Sequence, residues 1–294
     1  MGQQLHRRST QSPSVKALRR AALVVTIGAL VLLTGCSAET QTDWKNLAMP
    51  EPATEQANHT YYLWRYAWIA AMIVGVIVWG LIGWVVVRYR RKSDDEIPVQ
   101  TRYNLPLEIF YTIAPIVMVI VLFYHTVGVQ NAVLDDTEQD RTIEVVGFQW
   151  SWTFNHVLDG QTEGPVVYTS GTGSTMPTLV LPVGETVQFN LNSPDVIHSF
   201  GITGFLMRMD VIPGRVNHYE VTPDTEGVFA GKCYELCGTS HSRMLFNVEV
   251  VSVEEYEQYL QELEQQGNTS DVPILGGNLV NEQVGLEDDE EEAE

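Results

Sequence analysis

The stretch "AWIAAMIVGVIVWGLIGWVVV", Ala67 to Val87, contains 21 residues and no charged side chain. A second stretch of the same length, Ile109 to Val129, has His125 as its only ionisable group. A helix needs about 20 mostly apolar residues to cross the hydrocarbon part of a bilayer. Both stretches are therefore predicted to be transmembrane helices, and together they form a hairpin over residues 64–130.

The loop between the two stretches, residues 88–108, begins with "RYRRKSDDE" and is rich in arginine and lysine at its start. Short basic loops stay on the cytoplasmic side of a membrane. This orientation places the amino end and everything after Gln130 outside the cytoplasm of a bacterial cell.

The amino end has the pattern of an export signal, in which basic residues precede the apolar run Ala21 to Leu33. At 13 residues this run is too short to span a bilayer. The following "LTGC" resembles a bacterial lipobox, so we expect residues 1–35 to be cleaved and Cys36 to carry a lipid anchor in the cell membrane. An ordinary cleavage site followed by an incidental cysteine is the alternative. An export signal places the mature amino end outside the cytoplasm, and the basic loop predicts the same orientation.

After Gln130 the hydrophobic pattern changes to short apolar or alternating runs, separated by turn clusters such as "NSPD" and "IPGR". Such runs are typical of strands in an all-β sandwich. The clearest runs are "IEVVGFQWSWTF" (Ile143 to Phe154), "GETVQFNLNS" (Gly184 to Ser193), "HYEVTP" and "LFNVEVVSV" (Leu245 to Val253). The stretch "VEEYEQYLQELEQQ" then has helical spacing, and the acidic end of the chain cannot bury a core.

These patterns divide the chain into five parts. They are a cleaved signal (1–35), an extracytoplasmic segment (36–63), a transmembrane hairpin (64–130), an extracytoplasmic β domain (131–254), and a short helix with an acidic disordered tail (255–294).

The formal net charge is -20, and the residues after Gln130 carry 29 acidic side chains against 5 basic ones. Nucleic-acid binding requires a basic face, so nucleic acid is excluded as a partner. The acidic residues either form a docking surface for a cationic protein or are simply a solvated surface.

The segment "CYELCGTSHSRM", residues 233–244, places Cys233, Cys237, His241 and Met244 close together. Outside the cytoplasm two cysteines form either a disulfide or a metal site. A distant histidine, His198 in "DVIHSF", follows another strand, and loops at one end of a sandwich can meet. A metal site built from both loops is therefore predicted.

Thiolate, thioether and imidazole ligands together favour copper. A mononuclear blue-copper site uses a single cysteine, whereas two bridging thiolates can hold a pair of copper ions. Zinc bound by two cysteines and two histidines is the weaker rival, because zinc has no use for Met244.

At these residues the chain resembles subunit II of cytochrome c oxidase. The family pattern Cys-x-Glu-x-Cys-x3-His-x2-Met is met in full, with Glu235 as its acidic position, and His198 supplies the upstream histidine. The resemblance covers residues 64–254, including "LPLEIFYTIAP", "GFQWSWTF" and "IPGR". It implies a two-helix transmembrane hairpin followed by an all-β, cupredoxin-like Greek-key sandwich.

The resemblance also implies a binuclear copper A centre bridged by Cys233 and Cys237, with one histidine on each copper. Met244 would bind one copper and the backbone carbonyl of Glu235 the other, while the Glu235 side chain would reach a magnesium ion shared with catalytic subunit I. The implied function is to accept single electrons from cytochrome c and pass them to haem in that subunit. There dioxygen is reduced to water, coupled to proton translocation.

Three further residues, Trp150, Glu108 and Asp195, have two interpretations each. Strand alternation places Phe148, Trp150, Trp152 and Phe154 on one face as ordinary core, but the resemblance makes Trp150 the exposed ring where electrons arrive. Glu108 is either a charge that suits the first turn of a helix or, by resemblance, the mouth of a proton pathway.

Asp195 is either a turn residue or an acidic contact for the electron donor. His125, at the outer end of its helix, is interpreted as interfacial rather than as a ligand.

The chain has no Cys-x-x-Cys-His motif, so haem is expected only in partner subunits and the cytochrome c donor is a separate polypeptide. A lipidated subunit resembles those of Gram-positive bacteria, including actinobacteria, which favours a membrane-bound donor in a supercomplex with a cytochrome bc complex. Residues 159–182 depart from the family pattern.

The rival function is a lipid-anchored copper-binding or copper-delivery protein.

Overall fold

The computed structural model describes Leu23, Thr26 and residues 45–93, 96–135, 137–158 and 164–275. Met1–Ala48 and Met49–Glu294 form two separate compact units. The predicted lipid anchor at Cys36, nearly all of the predicted signal and the tail from residue 276 lie outside the described residues.

Two long helices follow the start of the second unit. Helix α1, Glu55–Arg88, begins after Thr54, whose hydroxyl accepts a hydrogen bond from the N–H of Ala57 at 3.0 Å. Helix α2, Leu105–Val133, begins after Asn104, whose side chain caps the first turn. Both are long and apolar enough to cross a membrane, which agrees with the predicted hairpin.

The outer part of the chain is a β-sandwich, as predicted. Its described strands are β1 Arg141–Phe148, β2 Ser151–Val157, β3 Val166–Ser170, β4 Thr178–Pro182, β5 Val187–Asn192, β6 His198–Ile202, β7 Met207–Val211, β8 Asn217–Val221, β9 Gly227–Cys233, β10 Leu245–Val251 and β11 Thr269–Ser270. One sheet has the order β11-β3-β2-β1-β5-β8 and the other β4-β10-β9-β6-β7. Two of the pairings, β1 with β5 and β4 with β10, are parallel.

The prediction of one strand from Ile143 to Phe154 was wrong. The chain reverses at Gln149 and Trp150, and β1 and β2 pair as an antiparallel hairpin with Phe148 opposite Ser151. Trp150 therefore lies in a turn at the end of the sheet and not on the buried face of a strand.

Aromatic rings fill the space between the two sheets. Phe200 on β6 stacks on Phe246 of β10 at 5.1 Å between centroids, and it also contacts Trp152, Phe154 and Phe189. All five side chains are buried. Burial of each phenylalanine contributes about 1.5–3 kcal/mol, so this cluster is a major source of the stability of the sandwich.

A third helix, α3 (Val253–Gln265), closes one side of the sandwich. It begins with a capping box formed by Ser252 and Glu255. Its Tyr256, Leu260 and Leu263 are buried in a second apolar cluster that includes Val167 of β3 and Val180 of β4. Because β3 and β4 belong to different sheets, α3 joins the two sheets along their edges.

The β domain is attached to the start of α1 by main-chain hydrogen bonds. Ala53 donates to the carbonyl of Gly204 at 2.9 Å and accepts from Asp224 at 3.1 Å, and Glu55 donates to Thr222 at 3.0 Å. Ala53 is buried. We call this contact the helix clamp (Ala53–Glu55 with Gly204 and residues 222–224).

His156 on β2 provides a prediction about pH. Its ring is fully buried against Tyr256 and Tyr259, and burial lowers its pKa to about 3. The unfolded chain binds this proton near pH 6.5, so folding stability falls as pH drops below 6.5. We expect a loss of up to about 1.4 kcal/mol per pH unit between pH 6 and 4.

The His156→Gln variant should show a shallower fall over the same range, measured by urea unfolding of the purified chain with tryptophan fluorescence. His218→Gln, which changes an exposed histidine, is the control, and the prediction requires the slope to change more in His156→Gln than in His218→Gln. Identical slopes for the wild type and His156→Gln would contradict the prediction.

Candidate metal centre

The predicted ligands come from loops at one end of the sandwich. Strand β9 ends at Cys233, and the loop to β10 carries the remaining residues of the motif. His198 is the first residue of β6, which lies beside β9 in the same sheet. The register places Phe200 opposite Cys233, so His198 extends beyond the end of β9 into the loop.

The structure brings all the predicted ligand side chains together. The Sγ atoms of Cys233 and Cys237 lie 3.9 Å apart. His198 Nδ1 lies 3.9 Å from Cys233 Sγ, and His241 Nδ1 lies 3.6 Å from Cys237 Sγ. Each cysteine therefore has its own histidine, with the ring nitrogen Nδ1 facing the sulfur.

Each cysteine also has a further neighbour. Met244 Sδ lies 3.7 Å from Cys237 Sγ, and the carbonyl oxygen of Glu235 lies 3.2 Å from Cys233 Sγ. Each cysteine therefore has one imidazole and one further donor beside it: the Met244 thioether at Cys237 and the Glu235 carbonyl at Cys233. Both cysteines, His198 and Met244 are buried, so the pocket keeps its soft ligands away from water.

The donor set fits copper. The sulfurs are unbonded, since a disulfide requires about 2.05 Å. The ligand atoms of His198, Cys233 and Cys237 all lie within 4.8 Å of one another, which suits a metal cluster. Met244 faces the pocket as well, and a thioether is a ligand for copper and not for zinc.

The two thiols differ in acidity. At Cys233, burial is outweighed by the contact with His198 and by backbone hydrogen bonds, so its pKa is lowered. At Cys237, burial and the adjacent charge of Cys233 raise the pKa. Cys233 is therefore the first of the two to become a thiolate, the form that binds metal.

Two residues, Asp195 and Gln149, hold the ligands in a way that sequence reasoning did not predict. Asp195 Oδ1 lies 2.8 Å from His198 Nε2, and Asp195 Oδ2 accepts a hydrogen bond from the N–H of Gln149 at 2.7 Å. Burial opposes ionisation of Asp195, but the hydrogen bonds with His198 and the backbone outweigh it and lower its pKa. Gln149 Nε2 donates to the carbonyl of Cys237 at 2.7 Å. Asp195 thus orients His198, and Gln149 supports the metal loop.

Trp150 lies against the metal loop. Its indole N–H donates to the carbonyl of Cys237 at 3.2 Å, and it is partly exposed. Gly238 has φ of +126°, and a Cβ there would lie 2.9 Å from the Trp150 ring. Glycine is required at this position both for the backbone conformation and for the close approach of the indole.

The remaining predicted residues add no side chain to the ligand cluster. Glu108 Oε1 accepts a hydrogen bond from the N–H of Asn104 at 2.9 Å, so it caps α2. The side chain of Glu235 is exposed, whereas its carbonyl faces Cys233. His125 is exposed on α2 and lines a cavity with His59.

Two membrane-spanning helices that carry a β-sandwich with a buried, thiolate-rich metal pocket define a membrane-anchored cupredoxin-like protein. Residues 42–127 match the family described as "Cytochrome C oxidase subunit II, transmembrane domain", and residues 141–251 match "Cytochrome C oxidase subunit II, periplasmic domain".

Two relatives are similar over most of their length. The chain is 47% identical over 301 residues to "Probable cytochrome c oxidase subunit 2" of Streptomyces coelicolor, covering 90% of this chain and 93% of that protein. It is 35% identical over 302 residues to "Cytochrome c oxidase subunit 2" of Mycobacterium tuberculosis, covering 84% and 82%. The solved periplasmic domain of subunit II from Bradyrhizobium japonicum is 27% identical, with a TM-score of 0.40, over 44% of this chain and 97% of that domain.

The chain belongs to the cytochrome c oxidase subunit II family. It is a subunit of a haem-copper terminal oxidase, and its partners are the other subunits of that complex. The β domain lies outside the cytoplasm, as the basic loop predicted.

The contact of Asp195 with His198 leads to a prediction. Asp195→Asn should weaken copper binding about 10–100-fold, because a neutral amide orients the imidazole less strongly than a carboxylate. The measurement is copper retention by the purified chain against a competing chelator. The predicted docking role is tested with the same variant: a raised KM for cytochrome c at full copper loading would favour docking over orientation of His198.

Proposed function

We propose that this chain accepts single electrons from cytochrome c and passes them to haem in the catalytic subunit, where dioxygen is reduced to water with proton translocation. The observation that carries this proposal is the buried cluster in which two unbonded cysteines each face an imidazole nitrogen. Such a donor set suits a metal that changes oxidation state, and a structural role in folding does not require it.

In this proposal a binuclear copper A centre is held by side chains of the cluster and by the Glu235 carbonyl. The side-chain ligands are His198, Cys233, Cys237, His241 and Met244. When bound by these residues, two copper ions would supply a redox centre that exchanges one electron at a time. The protein contributes a rigid pocket, because two ligands are anchored at strand ends and Asp195 fixes the His198 ring.

Trp150 is proposed as the residue through which electrons arrive. It is the partly exposed aromatic ring that donates a hydrogen bond to the backbone of a ligand, Cys237. A conjugated ring between solvent and ligand shortens the gap that an electron must cross from a docked donor.

The finer assignments from the family resemblance are also proposals. Glu235, whose side chain is exposed, would contribute to a magnesium site shared with the catalytic subunit. Glu108 would lead protons into the oxidase in addition to capping α2. The donor would be a membrane-bound cytochrome c in a supercomplex, with this chain held in the membrane also by lipid on Cys36.

Copper loading of the full chain, purified with its oxidase partners, tests the proposed function. We expect two coppers per chain in excess of those in the other subunits, a near-infrared absorption band, and an electron paramagnetic resonance signal of one electron shared by two coppers. One copper per chain, or zinc in the native pocket, would contradict the proposal.

A further inference from the structure

Among the described residues after Gln130, basic side chains are rare and unevenly placed. They are Arg141, Arg208, Arg215, Lys232 and Arg243. Arg141 forms ion pairs with Glu185 and Glu257, at the end of the sandwich away from the metal loop. Arg215 and Arg243 lie in loops at the metal end. Lys232 directly precedes Cys233, and Arg208 lies on β7 opposite Gly201. None of these four has an ion pair with a described residue.

Two of these cations share one aromatic ring. Arg208 Cζ lies 5.7 Å and Lys232 Nζ 4.8 Å from the centroid of Tyr234. We call these three residues the Tyr234 cation cluster. Both cations are exposed on the outer face of the sheet.

The backbone builds this cluster. Gly201 on β6 pairs with Arg208 on β7 and with Lys232 on β9, so both side chains flank the same position. A Cβ at Gly201 would lie 2.6 Å from the Tyr234 ring, which therefore needs the glycine in order to lie between the two cations. Two like charges brought together without a carboxylate repel each other, and an anion bound between them would relieve this repulsion.

The Tyr234 cation cluster lies on the Cys233 side of the metal pocket. Tyr234 directly follows Cys233, and its N–H donates to Ser199 at 3.0 Å. Trp150 contacts the other cysteine, Cys237. If electrons arrive beside Cys237, they leave on the side of Cys233, where the accepting subunit must bind.

A lipid headgroup is a poorer occupant than a protein. Pro50 and Arg208 line one cavity, close to the helix clamp at the start of α1. Glu55 precedes the uncharged stretch at Ala67 by 12 helical residues, or about 18 Å. The headgroup layer extends only about 7 Å beyond the hydrocarbon region, so it ends short of Glu55 and the helix clamp.

We infer that the Tyr234 cation cluster is a docking site for an acidic segment of the oxidase's catalytic subunit. The inference rests on the proposed function, which defines the side on which electrons leave. The segment of the catalytic subunit that binds here would carry two carboxylates, one for each cation, or a single carboxylate that lies between them.

The test uses the full chain, affinity-tagged and co-expressed with the other oxidase subunits, and measures haem co-purified per chain at about 0.15 M salt. Arg208→Glu with Lys232→Glu should lower this ratio at least tenfold. The swapped pair, Arg208→Lys with Lys232→Arg, should keep it. Arg215→Glu is the matched control, since it reverses an exposed charge that lies outside the cluster and has no ion pair with a described residue, and it should also keep the ratio.

An unchanged haem ratio in the double reversal, or an equal loss in Arg215→Glu, would overturn the inference. Loss of co-purified anionic phospholipid with an unchanged haem ratio would assign the cluster to lipid instead. Copper per chain, measured on the same samples, tests the proposed function separately. If the double reversal loses copper, Tyr234→Phe and Tyr234→Leu decide: Phe should keep the haem ratio and Leu should lower it about threefold, and equal ratios would refute the docking role.

Discussion

Replacing either Cys233 or Cys237 by serine is expected to remove the shared-electron signal of the proposed copper pair and to lower oxidase turnover at least a hundredfold. Each sulfur faces an imidazole nitrogen and the other sulfur. A serine hydroxyl is a harder ligand that stays protonated, so it cannot bridge two soft ions. Copper content by mass spectrometry, together with electron paramagnetic resonance of the purified oxidase, measures the effect.

Two further variants serve as comparisons for the cysteine substitutions. Met244→Leu should retain most of the copper with an altered reduction potential, because the Met244 thioether would tune a site that the two cysteine sulfurs hold. Cys36→Ser, which changes the third cysteine of the chain, should leave the copper signal intact. Equal copper loss in the Cys233, Cys237 and Met244 variants would contradict the bridging role of the cysteines.

Trp150→Phe is expected to slow reduction of the oxidase by cytochrome c more than tenfold, with copper content and fold intact. The indole is partly exposed and hydrogen-bonded to the Cys237 carbonyl, so the substitution removes both the larger conjugated ring and its contact with the ligand loop. Stopped-flow reduction at fixed donor concentration measures the rate, and copper analysis checks the site.

Trp152→Phe is the matched control. Trp152 is fully buried, and its indole N–H approaches the carbonyl of Met244 at 3.4 Å. This variant should lose about 1–3 kcal/mol of stability through a core cavity without a comparable slowing of electron uptake. Equal slowing in both variants, with stability lost in both, would show that Trp150 is a packing residue.

Patterns over short stretches of the sequence predicted the membrane helices and the ligand loop, because each of these is formed by residues close together in the chain. The uncharged stretches Ala67 to Val87 and Ile109 to Val129 predicted the membrane helices, because about 20 apolar helical residues are long enough to span the bilayer. The spacing from Cys233 to Met244 predicted a compact ligand group, since one short loop carries four of its members.

The β1–β2 hairpin was missed because its signal is ambiguous. Alternating aromatic residues look the same in one long strand and in two strands joined by a two-residue turn. The turn residues Gln149 and Trp150 are neither glycine nor asparagine, which usually mark such turns. The correction changes the interpretation of Trp150, which the structure places at the end of the sheet, beside Cys237.

Contacts between distant loops could not be predicted. Asp195 and Gln149 meet only because β1 and β5 pair in parallel, which brings the ends of both strands to one edge. His156 likewise has no local signature, because its burial depends on helix α3, a hundred residues further along the chain. Such roles depend on topology, which single-sequence patterns do not contain.

The helix clamp determines how freely the β domain can move. Its second attachment is the linker after α2, where Thr137 donates to Glu220 from both its backbone and its hydroxyl at 2.6 and 2.7 Å. A domain held by one peptide linker can swivel, whereas a domain fixed at two separate points has lost most of its rotational freedom before any partner arrives. Docking then costs less orientational entropy, so that even a small contact area with a neighbouring protein can hold the metal loop in one pose.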